Sequence, residues 1–128
     1  MVKLVTEGIS ISVETSFQEE YSSPAQNHYV FTYKVSIENK GQHTVQLLRR
    51  QWYIHDAGQK QTEVEGEGVV GAQPVLEPGQ KHEYVSGSNL KSPFGKMLGY
   101  YTMERVVDGH KFQVQIPEFN LIADYKLN

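Results

Sequence analysis

Phe31-Thr32-Tyr33-Lys34-Val35-Ser36-Ile37-Glu38-Asn39-Lys40-Gly41 sets four apolar side chains against four polar ones in strict alternation. Period two is the spacing of a strand with one buried and one wet face. The run ends in residue types that take the positive φ of a tight connection, so Asn39-Lys40-Gly41 predicts a hairpin. Upstream, Ile9, Ile11 and Val13 alternate with Ser10, Ser12 and Glu14 in the same way. The polar segment Gln18 to His28 between them reads as a loop, because Pro24 has no N–H for a ladder and biases Ser23 towards extended backbone.

Downstream, a third strand spans about Val45 to Asp56 and changes phase. Val45 and Leu47 sit at odd positions, Trp52 and Ile54 at even ones. A one-residue slip turns the apolar set to the other face, which places a β-bulge near Arg49-Arg50. Asp56-Ala57-Gly58 turns the chain into Lys60 to Gly66. Glu77-Pro78-Gly79-Gln80 has the residues of a type II turn, and a further strand follows at about Lys81 to Ser86. Gly87 to Gly95 reads as a connection. Met97, Gly99, Tyr101 and Met103 then alternate with Leu98, Tyr100 and Thr102 in a strand apolar on both faces, and Asp108-Gly109 joins it to Phe112, Val114 and Ile116. The expected fold is all-β, about seven or eight antiparallel strands in a sandwich or small barrel. Leu76-Glu77-Pro78-Gly79 followed by Tyr84 resembles the approach to a tyrosine corner. Fraying is expected at residues 1 to 4 and 124 to 128.

The totals set limits. A chain of 128 residues suits one domain over 1–128 with one core. With no cysteine, disulfides, thiolate zinc sites and a cysteine nucleophile are excluded, and a reducing, cytoplasmic setting is the expectation. Neither an apolar leader nor a membrane-length run is signalled, so membrane insertion is not expected. A net charge of -3 offers no long-range attraction to nucleic acid.

Gly66-Glu67-Gly68-Val69-Val70-Gly71 is a literal G-x-G-x-x-G. A dinucleotide fingerprint also needs an apolar strand before it, a helix after it and an acid about twenty residues on. Gln61-Thr62-Glu63-Val64-Glu65 is too polar for that strand, Pro74 stands where the helix would open, and the position further on holds Gly87-Ser88-Asn89. Glu67 would put a carboxylate inside the cradle. Backbone amides can bind an anion without a helix; alternatively the glycines permit a bulge, a positive φ or close strand approach.

Other candidates divide in the same way. Glu63, Glu65 and Glu67 share one face of a strand and could attract a hard divalent cation, or they are the charges of a solvated edge. Arg50, at the bulge, could hold a carboxylate or phosphate in a bidentate pair, or lock the bulge through an internal carboxylate. The five histidines show no ligand spacing. Ser86-Gly87-Ser88 is not a nucleophile elbow, and adjacent His55 and Asp56 would point to opposite faces of a strand. Trp52, Tyr100, Tyr101 and Phe119 suit a core better than a binding patch. No catalytic set emerges.

Gln46-Leu47-Leu48-Arg49-Arg50-Gln51-Trp52, Gly66 through Pro74 to Pro78-Gly79, Tyr84-Val85-Ser86-Gly87, Gly95 to Met103 and Ile116-Pro117-Glu118-Phe119 occur in order over about residues 6 to 122. In these blocks the chain resembles the bacterial ApaG family. The resemblance implies a fibronectin type III-like antiparallel β-sandwich. It also implies a small cytoplasmic protein without a known reaction, associated with cobalt tolerance and magnesium efflux, whose eukaryotic relatives are fused to F-box and polymerase-interacting proteins. It further implies a pyrophosphate or dinucleoside polyphosphate site at the glycine tract, carried here by Gly66, Gly68 and Gly71. Many relatives have histidine just before the tryptophan; this chain has Gln51, so no proton-transfer or metal role carries over to that position. The reading is therefore a non-enzymatic interaction module for an unidentified protein partner, linked to divalent cations, with no cofactor, as a monomer or homodimer. The alternative is a pyrophosphate-binding protein.

Overall fold

The computed structural model describes residues 1–123, and its strands follow the alternation of the sequence. They are β1 (Val2–Thr6), β2 (Ile9–Phe17), β3 (Tyr29–Asn39), β4 (Val45–Asp56), β5 (Thr62–Glu67), β6 (Val75–Leu76), β7 (Lys81–Leu90), β8 (Phe94–Arg105) and β9 (Lys111–Ile122). One antiparallel sheet has the order β1-β2-β3-β7 and the other β5-β4-β8-β9, with β6 also paired to β4. The two form a sandwich. β3 is central because its alternation is complete on both sides: Val35 stands opposite Val13 on β2 and opposite Tyr84 on β7. Its Phe31, Tyr33, Val35 and Ile37 are buried with Ile9, Ile11 and Val13. From the other sheet Leu47, Trp52, Met97, Tyr101, Ile116 and Phe119 fill the same core. Each fully buried aliphatic or aromatic side chain contributes about 1.5–3 kcal/mol.

The phase change in β4 has the expected cause. Its register with β8 shifts between Leu47 and Arg49, so the bulge falls at Leu48, one residue before the predicted pair. A second shift lies between Met97 and Gly99 against β9, where Pro117 has no N–H for the ladder. The turns also hold. Gly79 has φ +88° and the Gln80 N–H donates to the Glu77 carbonyl at 2.9 Å, while Gly58 and Gly109 take positive φ in their connections.

Four expectations need correction. Asn39-Lys40-Gly41 is not a hairpin: β3 pairs with β2 and β7, and the chain crosses here to the other sheet. Neither Asn39 nor Gly41 has positive φ. Instead the buried Asn39 side chain donates to the His43 and Leu76 carbonyls (2.8 and 2.9 Å) and accepts from the Gly41 N–H (2.9 Å), tying the crossover to β6. Turn-forming composition does not distinguish the two uses. Residues 2 to 4 do not fray, because β1 pairs along β2 from Val2↔Val13; residues 124 to 128 lie outside the described residues. Gly87 to Leu90 extend β7 rather than ending it, since β3 supplies a ladder partner for each. The tyrosine corner is absent: the Tyr84 hydroxyl meets the Tyr101 hydroxyl across the sheets, not a nearby carbonyl.

The two sides of the sandwich differ. On one, β9 packs against β1 and β2, and the Gln115 N–H donates to Thr6 Oγ1 at 3.3 Å. On the other, the edge strands β5 and β7 stand apart and a cleft lies between them.

Candidate functional site

Each glycine of the tract has its own reason to be there. Gly66 stands opposite Arg50 in the β4–β5 register, and a Cβ on it would come within 2.9 Å of the guanidinium nitrogens. Gly68 has φ +64°, and a Cβ there would collide with the Ala72 carbonyl. Gly71, at φ +78°, follows Val70 at φ +46°. The Val69 N–H donates to the Ala72 carbonyl (2.8 Å) and the Ala72 N–H to the Val69 carbonyl (3.0 Å), so Val69 to Ala72 close a two-residue turn with both central residues left-handed, the type I′ geometry. The Gly68 N–H donates to the carbonyl of the bulged Leu48 at 2.8 Å. The amides of Gly68, Val69 and Ala72 are thus engaged within the protein. What the turn presents outward is Val70, 66% exposed.

Behind it lies a cleft of about 330 Å³ lined by Tyr33, Arg50, Trp52, Val69, Tyr84 and Ser86 among others. That is the lower end of the range of small-ligand sites, and the mixture of apolar walls with a few polar groups is typical of them. Its floor is fixed by aromatic packing: the Trp52 ring lies 5.5 Å from Tyr33, 6.4 Å from Tyr101 and 5.8 Å from Phe119, each time edge to face. Among the described residues Arg50 pairs with no carboxylate, contrary to one of the two expectations for it. Its Nη1 donates to the carbonyls of Glu67 and Gly68 at 3.0 Å each. Gly66 allows this, because a side chain there would lift the guanidinium off the backbone.

Arg50 is the one charged side chain lining the cleft among the described residues. The hydroxyls around it stay protonated. Burial pushes the Tyr33, Tyr84 and Tyr101 phenols above the ordinary tyrosine value, and desolvation outweighs the attraction of the Arg50 charge for a phenolate. Ser86 stands opposite Tyr33 across the β3–β7 ladder. The site therefore offers one fixed positive charge, neutral hydroxyls and apolar walls.

Glu63, Glu65 and Glu67 lie on the opposite face of β5, across from Tyr53, Gln51 and Arg49. All three are exposed, and Gln51 Nε2 donates to Glu63 Oε1 at 3.2 Å. Among the described residues no three His, Cys, Asp or Glu side chains are placed to hold a metal ion together. Asp56, read as a turn residue, accepts the Lys91 N–H at 2.7 Å and the Ser92 hydroxyl. Of the sequence candidates, then, Arg50, Gly66 and Gly68 come together, Gly71 shapes the turn beside them, and the glutamates do not join them. Sequence reasoning missed Tyr33, Tyr84, Ser86 and Val70. The first three are unremarkable strand residues until the sheets are stacked, whereas a β-branched residue just before a glycine in a tight turn was a signal that could have been read.

Comparison with known proteins agrees with this arrangement of blocks. A family model described as the ApaG domain matches residues 19–105. The chain belongs to the ApaG family. It is 49% identical over 126 residues to "Protein ApaG" of Paramagnetospirillum magneticum, covering 98% of this chain and 96% of that one. Against "Protein ApaG" of Parvibaculum lavamentivorans it is 50% identical over 121 residues, covering 94% and 92%. Its structure is similar to the crystal structure of the putative ApaA protein from Bordetella pertussis, with a TM-score of 0.88 and 42% identity, over 92% of this chain and 95% of that one. Membership of the ApaG family carries the sandwich with it and no defined biochemical role. No helix among the described residues is long and apolar enough to cross a membrane.

Proposed function

We propose that the chain is a non-enzymatic interaction module that docks a protein partner on the open side of the sandwich, over Val70 and the cleft behind it. The observation that carries this is Val70. A β-branched residue with φ +46° is a genuine outlier costing about 1–3 kcal/mol, and here it holds an apolar side chain out to solvent at the cleft mouth. Glycine or asparagine would make the same turn without strain. Strain retained together with exposed apolar surface supports an anchor for a partner. A non-enzymatic role is supported by the lining: among the described residues the cleft has no carboxylate or imidazole to move a proton.

Val70→Asn tests the reading. The variant should keep the fold, and a partner captured from lysate by the wild-type protein should be lost. Capture that is unaffected by the substitution, or no reproducible partner for the wild type, would overturn it.

A further inference from the structure

We propose that the partner enters as an extended strand that adds to the free edge of β7 and lays one acidic side chain on Arg50. The inference rests on the interaction reading and adds the partner's backbone geometry and charge: a proline-free segment with a single carboxylate between apolar residues.

The edges that flank the cleft are guarded differently. β5 carries Glu63, Glu65 and Glu67 within its six residues, and charge on an edge strand discourages pairing. From Tyr84 to Leu90, β7 reads Tyr-Val-Ser-Gly-Ser-Asn-Leu, with no charge and no proline. Its register with β3 runs unbroken from Lys81 to Leu90, so no bulge twists the edge away. No strand pairs with its outer side among the described residues. Such an edge invites strand addition, a recurring mode of peptide recognition. A strand added there would lie about 4.8 Å from β7 and point alternate side chains towards the cleft.

Charge then selects the side chain. Arg50 Nη1 is held by the Glu67 and Gly68 carbonyls, while Nη2 and Nε bond to none of the described residues and the guanidinium lines the cleft. A guanidinium fork suits a carboxylate. One positive charge among neutral hydroxyls matches one negative charge. The apolar walls, Trp52, Val69 and Met97 among them, receive the flanking residues.

Selection of displayed random linear peptides on the wild-type protein, in parallel with Arg50→Gln, tests the proposal. Wild-type protein should enrich proline-free sequences with one Asp or Glu between β-branched or aromatic residues, and Arg50→Gln should not. A synthetic peptide from that set, lacking tryptophan, should change the fluorescence of Trp52, the single tryptophan of the chain, and shift the amides of residues 84–90. Replacing the acid in the peptide by its amide, or methylating alternate peptide nitrogens, should weaken binding about ten-fold or more. Both of those arms use wild-type protein, so the stability of Arg50→Gln does not decide them. Failure to enrich any peptide, absence of an acid preference, equal recovery on Arg50→Gln, or amide shifts away from β7 would each overturn the proposal. If at the same time Val70→Asn still abolishes partner capture, the interaction reading stands and only the strand-and-carboxylate inference falls.

Discussion

The side of the sandwich where β9 meets β1 and β2 is closed by direct contact between the sheets, whereas the side between β5 and β7 is open and carries a charged side chain, a strained turn and a cleft. Both sides are built from strands of the same alternating pattern. On the open side Gly66 lets the Arg50 guanidinium lie against the backbone at the cleft, and a guanidinium cannot be packed over as a leucine can without losing its solvation. The closed side spends its residues on stability. The open side retains features that local stability alone would remove, and it is there that a binding role is expected.

Trp52→Ala should have the largest effect, a loss of about 3–5 kcal/mol, because the indole joins rings from β3, β8 and β9. Urea unfolding measures this, and a loss near zero would mean that the cleft floor is not part of the core. Gly68→Ala comes next, at about 2–3 kcal/mol: the new methyl meets the Ala72 carbonyl and the backbone is left-handed. The same substitution at Gly41, whose φ is not positive, should cost less, and equal losses would remove the special status of the tract.

Alkali should also separate the two sides. Burial raises the Tyr84 and Tyr101 phenols above the ordinary value of 10.0, so above that pH the unfolded chain releases protons that the folded chain keeps. Stability is unaffected below about pH 10 and falls above it, by about 1.4 kcal/mol per pH unit for each phenol. Unfolding curves at increasing pH should show the decline, and Tyr84→Phe should lessen it. A wild-type curve as flat as that of the variant would argue that the phenols are not buried as described. The smallest effect is a gain: Val70→Asn should stabilise by about 1 kcal/mol through relief of the left-handed strain. A loss instead would show that Val70 serves the fold, and the comparison of the two sides would lose its sharpest contrast.

The strands, the Glu77 to Gln80 turn and the Asp108-Gly109 connection were legible because period two and left-handed glycines are local properties. The bulge was legible to within one residue because a phase slip shows in any single strand. Asn39 was misread, since its side chain bonds to Leu76, thirty-seven residues away, and nothing local marks that. The site was half legible. Arg50 and the glycines stood out by type, but whether the guanidinium meets a carboxylate or a carbonyl depends on which residue lies across the ladder.

The order of residues by itself determined that this chain forms alternating strands, where it turns, and that it carries the blocks of the ApaG family, because each of these follows from short-range spacing and backbone preference. Only the tertiary structure decided that Tyr33, Tyr84 and Ser86 would stand with Arg50 around one cleft, that Gly68, Val69 and Ala72 would spend their amides internally, and that β7 would be left as an open edge. Those facts depend on which strands become neighbours, a choice made by burying both sheets' apolar faces at once rather than by any one segment.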